Sequence, residues 1–239
     1  MGLLLLVRHG QASFGAADYD VLSPTGASQA RHLGVHLRGL ELEPSLVLHG
    51  TMRRQRETAS EMVTELLDEQ GSGVPLQIDA RWDEFDHLSV ISAYVDLPGS
   101  ALSEDERDRY RRGTLDRREF QQLFEKATGR WVSGAHDDEY AEAYPDFVAR
   151  VRDALAHAAR QAGRGQTVVV VSSGGAIAAA CAMLVDVADE PRQWAASWQR
   201  LNAVTVNASI TRVVVGSTGA RMLTFNEHAW LPPKLVTYR

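Results

Sequence analysis

Three stretches of this chain carry side chains that can act together on a charged group. They are Arg8-His9-Gly10-Gln11, the arginine-rich TMRRQRETA at 51–59, and Ser172-Ser173-Gly174-Gly175. Arginine presents a planar fork of donors that matches the oxygens of a phosphoryl group. A histidine beside such arginines can serve as a base, a metal ligand or a nucleophile. Two serines followed by two glycines admit three uses: a hydroxyl nucleophile, a phosphate cradle at a helix N-terminus, or a helix cap. The G-x-S-x-G elbow of serine hydrolases is missing, which argues against the first. The chemistry therefore depends on whether the fold brings the three stretches together.

Each of them follows an apolar run. Leu3–Val7 is continuous, as in a strand buried on both faces, and SLVLHG (45–50) and the run from Thr167 read the same way. Ser23-Pro24 opens a helix with a cap and a proline in the first turn, its inward stripe being Ala27, Ala30, Leu33, Leu37 and Leu40. A second helix carries Ala59, Met62, Val63, Leu66 and Leu67. Gly71-Ser72-Gly73 and Pro75 then turn the chain into a short strand, Leu76–Ile78. Asp146 to Ala162 forms another amphipathic helix, with Phe147, Val151, Ala154, Leu155 and Ala158 inward. The tail segments AVTVNAS (203–209), TRVVVG and RMLTFN read as β-rich. Alternating strands and helices predict an α/β three-layer sandwich with a mainly parallel sheet and helices on both faces. Ligands of such folds bind beyond the strand C-terminal ends, where all three stretches arrive.

Residues 87–145 break this rhythm. Segment 103–126 carries seven basic and seven acidic side chains, the mark of solvated helices rather than a binding stripe. The expectation is one domain over 1–239, with 87–145 a mostly helical insertion over the strand edge. Net charge is −6, which argues against a nucleic-acid partner. Cys181, the single cysteine, lies in an apolar helix and excludes a disulfide within the chain. No apolar run reaches the length of a membrane span, and MGLLLLVRHG lacks a basic leader region, so a cytoplasmic location away from membranes is expected. Nothing in the composition speaks to oligomeric state.

LLLVRHGQA, LSPTGASQA and MRRQRETA, in this order, resemble the histidine phosphatase superfamily, also called the phosphoglycerate mutase-like family. The likeness continues through the late strand to NASITRV and FNEHAWLP and covers the core but not the insertion. It implies that His9 is the nucleophile that accepts a phosphoryl group, and that Arg8 and Arg54 neutralise its oxygens. Arg54 rather than Arg53 falls at the family position, four residues before Thr58. Gln11 and Ser13 follow the nucleophile and are candidate phosphate donors, as are Ser173 and Gly174. IDARWDEFDHL resembles the family segment with a glutamate after the third strand, which selects Glu84 as acid and then base, with Asp83 and Asp86 as rivals. No metal or other cofactor is implied, because neutral imidazole is itself a nucleophile.

One departure stands out. The family pattern after the late strand is Ser-His-Gly-Gly, and the histidine position is Ser173 here. A hydroxyl donates one hydrogen bond but is never cationic. Impaired or specialised turnover is expected, and a Ser173→His replacement is expected to speed it. His49, ending the second strand, and His228, in the tail, are the candidate substitutes; His87 and His136 flank the insertion and can enter from above. His32 and His36 have helical spacing but no third ligand, which suits a solvated face. Trp82, Phe85 and Tyr94 suit either core or leaving-group contacts, whereas Trp194, Trp198 and Trp230 are assigned to packing. The resulting expectation is a metal-independent phosphomonoesterase acting through a phosphohistidine on His9, its substrate a phosphorylated small molecule or a phosphopeptide. The alternatives are a phosphate- or phosphopeptide-binding protein without turnover, and a mutase, which QASFG after the histidine disfavours.

Overall fold

Leu4 and Leu6 of the first strand point to one face of a central sheet and Leu5 and Val7 to the other, and all four are sealed from solvent. This two-sided burial is why the run is continuously apolar rather than alternating. A computed structural model describes residues 1–13, 20–67, 73–97, 102–186 and 190–238. The first half of the chain forms β1 (Gly2–Arg8), α1 (Pro24–Gly39), β2 (Leu46–His49), α2 (Arg53–Leu66) and β3 (Leu76–Ile78). The expected insertion contributes α3 (His87–Val95), α4 (Glu104–Arg111) and α5 (Arg117–Ser133). After it come α6 (Tyr144–Gln161), β4 (Thr167–Ser172), α7 (Gly174–Val185), α8 (Ala195–Val204), β5 (Ile210–Gly216) and β6 (Gly219–Glu227).

The six strands order as β3-β2-β4-β1-β5-β6. The first four are mutually parallel, while β5 and β6 run antiparallel to their neighbours. Helices α1 and α2 cover one face, where Leu33, Leu37, Ala59 and Met62 meet Leu5 and Val47. Helices from α3 to α8 cover the other, apart from the charge-rich α4, which buries no residue of its own. Capping boxes start α4 (Ser103 with Glu106) and α5 (Asp116 with Glu119), so the mixed charge serves local helix ends. The α/β three-layer arrangement with a mainly parallel sheet is therefore as expected. Among the described residues no helix is long and apolar enough to cross a membrane.

Three local expectations are corrected. AVTVNAS is not a strand: its first two residues end α8, Thr205 bonds back to Leu201 O at 2.7 Å, and Ala208 turns the chain with φ of 58°. The segment is instead fastened to β1, with Ala208 N donating to Arg8 O at 3.0 Å. Leu40 leaves the inward stripe because α1 stops at Gly39, and it is exposed. Helix α6 starts at Tyr144 rather than Asp146, with Pro145 in its first turn. Of the expected turn at 71–73, Gly71 and Ser72 lie outside the described residues.

Candidate active site

Strands β1 and β4 are adjacent and parallel with Arg8 opposite Ser172, so the chain leaves both at the same level. Helix α1, which follows β1, packs with α2 on one face, and α7, which follows β4, packs with α6 and α8 on the other. Helices departing to opposite faces open a crevice at the strand ends. On the far side of β4, β2 ends with His49 opposite Val171 and leads into α2, whose second residue is Arg54.

His9 stands at the floor of this crevice, buried and clamped by its backbone. Its N–H bonds to Ser172 O at 2.8 Å, and its carbonyl accepts from Asn207 Nδ2 at 3.1 Å. Gly10 N donates to Thr58 Oγ1 at 3.0 Å, and a Cβ on Gly10 would lie 2.4 Å from Gly26 O, which is why this position is glycine. The ring's tautomer follows from its partners. Nδ1 lies 2.6 Å from Gly10 O, a pure acceptor, so Nδ1 carries the hydrogen. Nε2 keeps its lone pair, which accepts from Arg54 Nε at 3.1 Å. Burial, then the Arg54 and Arg8 charges, hold the imidazole well below its ordinary range; the bond to Gly10 opposes them without prevailing. The result is a neutral imidazole with a directed lone pair.

The two arginines are held from behind. Arg8 Nη1 donates to Thr205 O and, at 2.9 Å, to Tyr238 O. Arg54 Nη1 donates to Asp20 Oδ1 at 2.7 Å, and Asp20 Oδ2 accepts from Arg53 N at 2.7 Å. Asp20 thus caps α2, whose own N-cap residue, Met52, supplies no side chain for the purpose. The sequence offers no local signal for it, since the pair is thirty-four residues apart.

The three neighbouring carboxylates part company. Asp83 turns away and accepts from Thr51 N and Oγ1, each at 2.6 Å. Asp86 caps α3 through Leu88 N at 3.1 Å and Ser89 N at 3.0 Å. Of the three, only Glu84 lines the crevice. Its Oε2 accepts from Gly175 N at 2.9 Å, and a Cβ on Gly175 would lie 2.2 Å from Oε1, so the second glycine makes room for the acid. Burial raises this carboxyl above its ordinary range, against the lowering effect of the Gly175 bond and of Arg54 and Arg8. Phe85, the next residue, stacks on Trp131 with ring centroids 4.7 Å apart and anchors the segment in an aromatic cluster with Phe147 and Trp198.

The crevice widens into a cavity of about 820 Å³, whose lining includes Arg8, His9, Arg54, Glu84 and His87. Leu88, Phe120, Phe124, Trp198 and Ala203 form its apolar walls, so Phe85 and Trp198 serve both core and cavity while Trp82 is core alone. Tyr94 packs half-buried against the core. The remaining sequence candidates stand outside the lining. Gln11 N bonds to Gln29 Oε1 at 2.8 Å, and Ser13 N bonds to Val21 O at 2.8 Å. Gly174 is buried at the start of α7, where a Cβ would meet Asn202 Oδ1 at 2.8 Å. Ser172 Oγ donates to Trp82 O at 2.6 Å, and Ser173 Oγ accepts from Gln55 Nε2 at 2.9 Å, so neither hydroxyl faces the cavity or caps α7. His49 is buried with Nδ1 against Gly50 O at 2.7 Å, and His228 bonds to Asn226 O at 2.6 Å; neither lines the cavity. His87 alone of the candidate substitutes enters it. His32 is exposed and His36 stacks on Trp230 at 5.0 Å.

Structures of similar architecture are known. A mycobacterial hydrolase superposes with a TM-score of 0.61 at 21% identity, covering 98% of this chain and 94% of its own. A mycobacterial glucosyl-3-phosphoglycerate phosphatase gives 0.61 at 22%, covering 95% and 100%. Phosphoserine phosphatase from Entamoeba histolytica gives 0.60 at 15%, covering 97% and 100%. No curated protein sequence matches the chain. The family model of the histidine phosphatase superfamily (branch 1) matches residues 4–91 and 103–228. That match spans the RHG turn, α2 and the late strand alike, and the chain belongs to the histidine phosphatase superfamily.

Proposed function

We propose that the protein is a phosphomonoesterase that works through a phosphohistidine on His9. The observation that carries this reading is the pairing, in one cavity, of a neutral imidazole whose Nε2 lone pair is available to Arg54 with a carboxyl raised by burial. Solved structures of similar fold are described as phosphatases, one with VO3 and another with phosphoserine, in keeping with the proposal.

The steps follow from the positions. As a phosphomonoester enters, Arg54 passes its Nε–H from His9 to a phosphoryl oxygen and frees the lone pair. Nε2 bonds to phosphorus while the P–O bond to the leaving alcohol breaks, and protonated Glu84 gives that oxygen its proton. Arg8 and Arg54 balance the charge on the non-bridging oxygens through the loose transition state. Water then loses a proton to the Glu84 carboxylate and attacks phosphorus. The P–N bond breaks with its electron pair returning to Nε2, inorganic phosphate departs, and both groups are restored.

The walls suggest the substrate. Leu88, Phe120 and Phe124 suit a small phosphorylated cytoplasmic metabolite with an apolar or aromatic portion, and residues 87–145 act as the cap that selects it. The experiment is phosphate release from p-nitrophenyl phosphate, with and without chelator. Turnover that is indifferent to chelator and abolished in H9A, with an acid-labile phosphoenzyme on rapid quench, supports the proposal. Phosphate binding without turnover would select the binding-protein alternative.

A further inference from the structure

His87 enters the same cavity as Arg8, His9, Arg54 and Glu84, and the reaction just described makes no use of it. It is the first residue of α3, three positions after Glu84. Its place is rigid. Asp86 caps the helix through Leu88 N and Ser89 N, and His87 N bonds to Phe85 O at 2.9 Å. The ring meets Phe85 edge-on, with centroids 6.5 Å apart, and Phe85 is itself stacked on Trp131. Arg54 bonds to His9 Nε2 at 3.1 Å, and burial, then the Arg54 charge, holds His87 below its ordinary range against the raising effect of Asp86.

Position 173 is where the resemblance expects a second histidine, and its serine is wholly buried with Oγ committed to Gln55 at 2.9 Å. The cavity thus has an imidazole on the α3 side and none on the β4 side.

We propose that His87 is the second histidine of this site, donating a ring N–H to a non-bridging oxygen of the phosphoryl group as it passes to and from His9. The same function is reached from a different element: α3 of the cap in place of the turn after β4. This inference rests on the phosphohistidine reading of His9.

The test compares H87A, H87Q and H9A with the parent on p-nitrophenyl phosphate, with thermal unfolding of each. Removing one transition-state donor lowers turnover by about 10²–10³-fold. H87A is expected to lose kcat in that range with KM changed far less, and H87Q, which keeps a neutral N–H donor, to recover about tenfold. The inference is overturned if H87A keeps kcat within about twofold of the parent while H9A is inactive. It is equally overturned if H87A and H87Q lose activity alike and both unfold at lower temperature, which assigns His87 to packing. Full activity in H9A would remove the phosphohistidine reading itself, and this inference with it.

Discussion

Gln55 Nε2 donates a hydrogen bond to Ser173 Oγ at 2.9 Å, and both side chains are sealed from solvent. The same amide nitrogen also donates to Trp82 O at 3.1 Å, so Gln55 ties the turn after β4 to the segment that carries Glu84. Ser173 is therefore a strut. Ser173→Ala strands one buried donor, at a cost of about 1–3 kcal/mol in stability, and leaves kcat near the parent value. Ser173→His puts a larger side chain into a wholly buried position, an overpacking expected to cost about 1–3 kcal/mol, and is expected to bring no gain in rate. Denaturant unfolding together with phosphate release checks both. A stable, faster S173H protein would restore the expectation drawn from the sequence.

Arg54 is aimed by Asp20, so weakening that pair should be felt in turnover. Asp20→Asn keeps the shape but removes the charge that holds Nη1 at 2.7 Å. The expected loss in kcat is about tenfold, smaller than the roughly 10²–10³-fold expected of Arg54→Lys, which cannot offer a planar fork. Steady-state kinetics on one substrate ranks the two. Equal losses, or none in D20N, would show that Arg54 holds its place unaided.

The pH profile follows from two opposed shifts. Unperturbed glutamate titrates below unperturbed histidine, so in water a protonated Glu84 and a neutral His9 would scarcely coexist. Burial raises Glu84, and burial with the two arginines lowers His9, so each group moves toward the form that the proposed reaction uses. The kcat/KM profile should be bell-shaped, its acid limb from protonation of His9 and its basic limb from ionisation of Glu84. Replacing Glu84 with Gln should flatten the basic limb and slow turnover. An unchanged basic limb in that variant would assign it elsewhere.

The same shifts have signs in stability. Glu84 binds its proton more tightly folded than unfolded, so its contribution declines as pH rises from the ordinary carboxyl range through the raised value. His9 does the reverse: it binds its proton less tightly when folded, so stability falls as pH drops through the ordinary imidazole range. Subtracting the E84Q unfolding curve from the parent's should isolate the first slope, and no slope would mean that Glu84 is not desolvated.

Substrate preference should follow the apolar wall. Aryl and branched-alkyl phosphates are expected to exceed sugar phosphates in kcat/KM, and Phe124→Ala to lower the value for the aryl ester about tenfold with little effect on a sugar phosphate. A panel of esters on the two proteins reads this directly. Equal losses on both classes would place Phe124 in the scaffold.

Much of this molecule is legible in its sequence. Continuous apolar runs identify β1, β2 and β4 because strands buried on both faces tolerate nothing else, and the RHG turn that directly follows one of them carries the resemblance by which His9 is proposed as nucleophile. Local pattern failed where distant contacts overrule it. AVTVNAS has the β-branched residues of a strand, yet Asn207 is needed against the His9 carbonyl and Val206 N is taken by Asn226 Oδ1 at 2.8 Å, so the segment turns. Asp83, Glu84 and Asp86 cannot be ranked by type or spacing; Thr51, Gly175 and the start of α3 assign each its place. His49 looked closer to Arg54 along the chain than His87 does, but a strand buries its last side chain while the N-terminus of α3 opens on the cavity. The sequence alone determined the elements, the sheet edge and the Arg8–His9 turn, because these depend on periodicity and on neighbours in the chain. Only the tertiary structure decided that Glu84, and neither Asp83 nor Asp86, lines the cavity, that His87 shares it, and that Asp20 and Gln55 stand behind its walls, because those depend on distances between segments remote in sequence.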